Sequence, residues 1–176
     1  MLKLNEFALA AIVLLPQIGT ANEASPYVGQ EHRDIKSLSQ QDIEALSRGD
    51  GMGFAKAAEL NGFPGPRHVL ELAEALQLTA DQYARTEALY EEMRRNAGAA
   101  GAQLIAAEAE LDTLFAGRNV DVSSLQKALD SIAEVRARLR YVHLEAHLRQ
   151  QQILSARQVA RYAKLRRYQS GHGHSH

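Results

Sequence analysis

Apolar or small side chains recur at Leu89, Met93, Ala97, Ala100, Leu104, Ala107, Leu111 and Leu114. These steps of three and four trace one face of a long amphipathic helix over Thr79–Phe115, with coiled-coil-like spacing. Gly117-Arg118-Asn119 interrupts the pattern as a turn. It resumes with Val122, Leu125, Leu129, Ile132, Val135, Leu139, Val142 and Ala146 on the face of a second helix. Two long helices joined by so short a turn must pack antiparallel, so the predicted fold class is all-α, built on a long helical hairpin. At about 1.5 Å per residue, the first arm is expected to be roughly 55 Å long. Such a hairpin has little interior of its own. Its seam is expected to be covered by the shorter helices and by a second subunit. Gly98 and Gly101 weaken the first arm locally, and either let another helix approach closely or let the arm bend.

Upstream, residues 22–38 are polar and expected to be irregular. Ser39-Gln40-Gln41-Asp42 predicts a helix start, and Arg48-Gly49-Asp50-Gly51 its end. A second short helix is expected from Met52 to Leu60, stopped by Asn61-Gly62. Phe63-Pro64-Gly65-Pro66 predicts a rigid turn with Pro66 in the first turn of the next helix. From Arg67 onward the pattern predicts continuous helix, broken at two places. The glycines at 49, 51 and 53 do not form a phosphate loop. Their spacing is wrong, no Lys-Ser/Thr follows, and no strand precedes them.

Composition agrees with helices and narrows the chemistry. Only 6% of the 176 residues are aromatic and none is Trp or Cys, so thiol catalysis, disulfides and Cys-based zinc sites are excluded. The net charge of −1 is unevenly spread. Residues 22–130 carry a balance of −8, whereas residues 131–176 carry +7. The basic half either pairs with the acidic half or offers a surface to a partner. No recognition motif for nucleic acid accompanies it.

The first 21 residues have the layout of a secretory signal peptide: Lys3, an apolar stretch from Phe7 through Leu15, Pro16, then small residues at Gly19 and Ala21. Cleavage near Ala21 would release a soluble, periplasmic chain. The apolar stretch is too short to span a bilayer, and no second one occurs, so the mature chain is not expected to be membrane-embedded. The domain plan that follows is a signal peptide (1–21), an N-terminal extension (22–66), a helical domain (67–168) and a His-rich tail (169–176).

Two segments share one motif: Leu78-Thr79-Ala80-Asp81-Gln82 and Leu154-Ser155-Ala156-Arg157-Gln158. Each predicts a capping box, in which the hydroxyl caps the N3 amide and the glutamine reaches back to the cap amide. Each leucine precedes the cap and is placed to staple onto Tyr83 or Val159. The paired motifs, flanking a long hairpin behind an export signal, resemble the LTxxQ family of periplasmic stress and heavy-metal-resistance proteins, which includes Spy, CpxP, ZraP and CnrX. The resemblance spans about residues 67–168. It implies a four-helix, cradle-like subunit that forms an antiparallel homodimer and is not an enzyme. It also implies one of two functions: ATP-independent binding of unfolded protein clients, or histidine-based binding of Zn²⁺, Ni²⁺, Co²⁺ or Cu²⁺. The leading expectation joins the two, a protein that binds a divalent transition metal and acts as an ATP-independent chaperone in envelope or heavy-metal stress; a metal-sensing partner of a membrane signalling protein is the alternative. A structural envelope protein with an incidental metal-binding tail is the remaining alternative.

Seven histidines carry the candidate metal chemistry. His143 and His147 stand four apart and project from one helix face, where they could clasp one ion given a further ligand, or merely line an interface. His172, His174 and His176 alternate with small residues in a tail suited to scavenging Zn²⁺, Cu²⁺ or Ni²⁺. His68 and His147 precede the two motifs, as the CnrX-like pattern requires. That pattern would put a second histidine at Leu72 and a methionine at Gln151, so the full sensor set does not carry over. Glu71, Glu91 and Glu145 are candidate carboxylates to complete a shell. His32 stands alone and is expected at the surface. For client binding, the relevant feature is the run of arginines from Arg136 to Arg167, whose stems can lie along apolar clients.

Overall fold

The computed structural model describes residues 25–166. Residues 1–21, expected to form a signal peptide, together with Arg167 and the tail histidines His172, His174 and His176, lie outside the described residues. Among the described residues, seven α-helices follow a short 3₁₀ turn at Gln30–His32: α1 (Gln40–Arg48), α2 (Lys56–Glu59), α3 (Pro66–Glu71), α4 (Ala73–Leu76), α5 (Ala80–Ala116), α6 (Val122–Ile153) and α7 (Ala156–Leu165). Among the described residues there is no strand, and the all-helical expectation holds. The two long helices pack against each other, α1, α2 and α3 lie against them, and α4 packs on α3 and α7. No described helix is long and apolar enough to cross a membrane.

Helix starts follow local chemistry. Ser39, Thr79, Asp121 and Ser155 each cap a helix in a complete capping box, with Asp42, Gln82, Ser124 and Gln158 at N3. Gly49 ends α1 in the left-handed conformation at φ 72°. Two expectations are corrected. The second short helix covers only Lys56–Glu59, because Met52 and Gly53 adopt positive φ in a turn ahead of it. The helix after Pro66 breaks at Leu72, whereas its end at Gln77, left-handed at φ 53°, falls just before the Thr79 cap, where the first motif predicts a new helix.

The seam buries Leu89, Ala97, Ala100, Gly101, Leu104 and Ala107 of α5 and Ala128, Leu139 and Ala146 of α6. α1 covers it from the side. Leu46 joins Ala97, Ala100, Leu104 and Leu139 in one core cluster, with Phe54 packed on its edge. The small residues of α5 are what admit α1. A Cβ at Gly101 would overlap the Leu46 carbonyl, and one at Gly98 would meet the Ser47 carbonyl oxygen at 3.0 Å. Close approach is thus the role these glycines play.

A second cluster closes the open end of the hairpin. Val69, Leu76, Leu154 and Tyr162 are buried together, with Leu72, Leu78 and Val159 against them. Both motif leucines therefore enter the same core, while Tyr83 stays largely exposed. The two capping glutamines meet there as well: Gln82 Nε2 donates to Gln158 Oε1 at 2.9 Å, and Gln158 Nε2 donates to Gln82 Oε1 at 2.9 Å. Gln82 also donates to the Ile153 carbonyl at 3.0 Å, which ties the start of α5 to the end of α6. Across the arms Arg149 grips Glu92 with two bonds of 2.9 Å, so part of the basic half does pair with the acidic one.

Candidate functional site

Between the two clusters lies a cavity of about 310 Å³, lined from α3, α5, α6 and the segment 49–65. α6 supplies His143 and His147. They continue the buried face of Leu139 and Ala146, so the helix phase that makes the seam also turns both imidazoles inward. His143 is 2% exposed. Its ring stacks on Phe54, with centroids 5.9 Å apart and planes at 6°. Its Nε2 is buried without a hydrogen-bond partner. Burial, followed by the neighbouring His147, pushes its pKa down to about 4, against a smaller opposing pull from Asp50. His143 is therefore a neutral imidazole at pH 7.

His147 Nδ1 lies 2.8 Å from the carbonyl oxygen of Phe63. A carbonyl only accepts, so the proton sits on Nδ1 and the Nε2 lone pair is left for another group. Gly65 makes room for the ring: a Cβ there would stand 2.8 Å from His147 Cε1. From α3, His68 brings Nδ1 to 3.5 Å from Glu59 Oε1, and His147 Nδ1 is 3.6 Å from Glu59 Oε2. A carboxylate behind two imidazoles is the arrangement by which metal-binding histidines are commonly oriented.

Glu59 is also held from α7. Tyr162 donates its hydroxyl to Glu59 Oε1 at 2.5 Å, and Arg166 Nε approaches the same oxygen at 3.3 Å. The Gly65 amide donates back to the Tyr162 oxygen at 3.4 Å. Burial, then the bond to Glu59, raises the Tyr162 pKa well above the usual phenol range, which keeps it a donor.

Of the histidines singled out from the sequence, the structure brings His68, His143 and His147 to one cavity. His32 is exposed and 3.5 Å from Glu31. The carboxylate that faces the histidines is not one of the three expected. Glu71 pairs with Arg67 at 3.0 Å, Glu91 with Arg94 at 3.4 Å, and Glu145 lies among α5 and α6 side chains and does not line the cavity. Glu59, Phe54 and Tyr162 carried no signal of their own, because no periodicity marks a contact such as that of Tyr162 with Glu59, made across 103 residues of chain. Among the described residues, no three His, Asp or Glu side chains stand close enough together to hold a metal ion. Comparison with protein-family models, with curated proteins and with solved structures returned no match.

Proposed function

We propose that this chain is an exported helical protein that binds a transition-metal ion in the cavity between α3, α5 and α6, in an envelope or heavy-metal stress response. One observation carries the reading: His68 and His147, from opposite ends of the helical domain, both stand beside the half-buried Glu59, and the neutral His143 lines the same cavity. Neutral imidazoles whose other nitrogen is held by a carbonyl or carboxylate are prepared ligands. The leader ending near Ala21 supports export, and the paired capping motifs support a role like that of the LTxxQ proteins they resemble. Isothermal titration of the metal-free protein with Zn²⁺, Cu²⁺ and Ni²⁺ tests the site. His143→Gln/His147→Gln should lose a tight binding event that His172→Ser/His174→Ser/His176→Ser retains. Identical isotherms for all chains would remove the cavity from consideration.

A second reading, client binding without ATP, is favoured by the turn end of the hairpin. Phe115 and Val122 are 55% and 86% exposed there, and Leu129 is also exposed. Arg136 and Arg140 stand on the same arm and could supply the cationic stems around an apolar client. The full chain should suppress aggregation of a reduced model client at near-stoichiometric ratio. No suppression at excess would dismiss this activity. A second copy of the chain on the same face is the competing outcome, visible as a dimer in sedimentation.

A further inference from the structure

The cavity holds more donors than imidazoles. The chain has three methionines and no cysteine, and the two beyond Met1, Met52 and Met93, both line it together with His68, His143 and His147. They arrive from unrelated places. Met93 comes from the seam side of α5, where an apolar side chain would be expected in any case. Met52 comes from the loop after α1, is 44% exposed and sits at φ 41° between two glycines. Neither burial nor backbone preference explains a large side chain at that position.

The charges around the cavity also narrow the ligand. Asp50 and Glu59 on its wall are balanced by Lys56 and Arg67, and Glu59 is engaged by Tyr162 and Arg166 besides. A hard divalent ion would find little net negative charge and no closed set of oxygen and nitrogen donors. Thioether sulfur is a soft donor that selects Cu(I), and imidazole serves copper equally well. His143 contributes a buried Nε2 with no hydrogen bond, and the Nε2 of His147 is freed by the bond its Nδ1 gives to Phe63.

The geometry points to a cuprous-ion site, with Cu(I) held by imidazole nitrogen of His143 and His147 and by thioether sulfur of Met52 and Met93. The ion enters and leaves as Cu(I), so no electron is transferred, and all four donors are neutral. This inference rests on the cavity being a metal site at all, and adds which ion it takes and which residues choose it.

The test uses the full chain carrying His172→Ser, His174→Ser and His176→Ser, so that the tail does not report. Anaerobic competition with a coloured Cu(I) chelator measures Cu(I) affinity, and a separate titration measures Zn²⁺. Met52→Leu/Met93→Leu is expected to weaken Cu(I) by at least about tenfold while leaving Zn²⁺ within about twofold, since only the soft donors are removed. X-ray absorption at the copper edge should show sulfur neighbours in the parent and none in this variant. Leucine is close to methionine in volume, and Met52→Leu alone alters an exposed side chain, so loss of affinity there cannot come from unfolding. If the methionine variants keep Cu(I) affinity and spectrum while His143→Gln/His147→Gln loses metal, the cuprous assignment falls and the metal site stands. If the histidine variant binds both ions as the parent does, both fall.

Discussion

Glu59 gathers groups from three elements within 3.6 Å: His68 of α3, His147 of α6, and Tyr162 and Arg166 of α7 and its end. Much of the site's order at the residue scale depends on this one side chain. Tyr162→Phe removes its strongest neutral donor and should lower unfolding free energy by about 1–3 kcal/mol, because a charged acceptor loses a buried partner. Urea unfolding followed by far-ultraviolet dichroism measures this, and an unchanged midpoint would show that water replaces the hydroxyl without cost. His143 sets a second dependence. Its folded-state pKa of about 4 lies below the ordinary value of 6.5, so the unfolded chain binds more protons between those values. Stability of the metal-free protein should therefore rise with pH across that window and be lost as pH falls through it. The full effect is about 3 kcal/mol at most. His143→Phe should flatten this part of the pH profile relative to the parent, and parallel profiles would refute the assignment. The histidine pair itself was visible in the sequence, because spacing of four on a helix is a local fact. Which carboxylate and which carbonyl would face it was not.

At the scale of elements, two packing devices invite direct tests. Gly101→Ala should gain about 1 kcal/mol in helix propensity. The new Cβ meets the Leu46 carbonyl backbone, which has no side-chain freedom to yield. Net destabilisation of about 1–3 kcal/mol is expected from overpacking. A raised melting temperature would mean that α1 lifts away easily. The reciprocal Gln82–Gln158 amides join two capping boxes that each would form alone. A double-mutant cycle of Gln82→Ala and Gln158→Ala should give a coupling of about 0.5–2 kcal/mol, whereas strictly additive losses would reduce the pair to two independent caps. The caps at Ser39, Thr79 and Ser155, the seam and the small-residue patch were legible beforehand, since each depends on neighbours within a turn or two. The short helices were less so. The 52–60 segment shortens at its glycine-flanked start, and the 67–78 segment breaks at Leu72 where local propensity is good, as α3 and α4 are fitted over the second core cluster.

At the scale of the whole molecule, the segment before residue 66 and the hairpin share cores. Leu46 lies in the first cluster, and Glu59 bridges to α6 and α7. The described chain is expected to unfold in a single transition, with dichroism and tyrosine fluorescence giving the same midpoint in urea. Separate midpoints would mean that the extension docks as an independent unit. Sequence by itself determined the helical class, the hairpin, the helix starts and the pairing of the two histidines on one face. These follow from hydrophobic period and capping chemistry, which act within a few residues. Only the tertiary structure decided that α1 fills the notch at Gly98 and Gly101, and that Glu59, His68, His143 and His147 line one cavity with Met52 and Met93. Those outcomes depend on where distant segments come to rest, and that is set by the sum of packing in two cores and by no short stretch of chain.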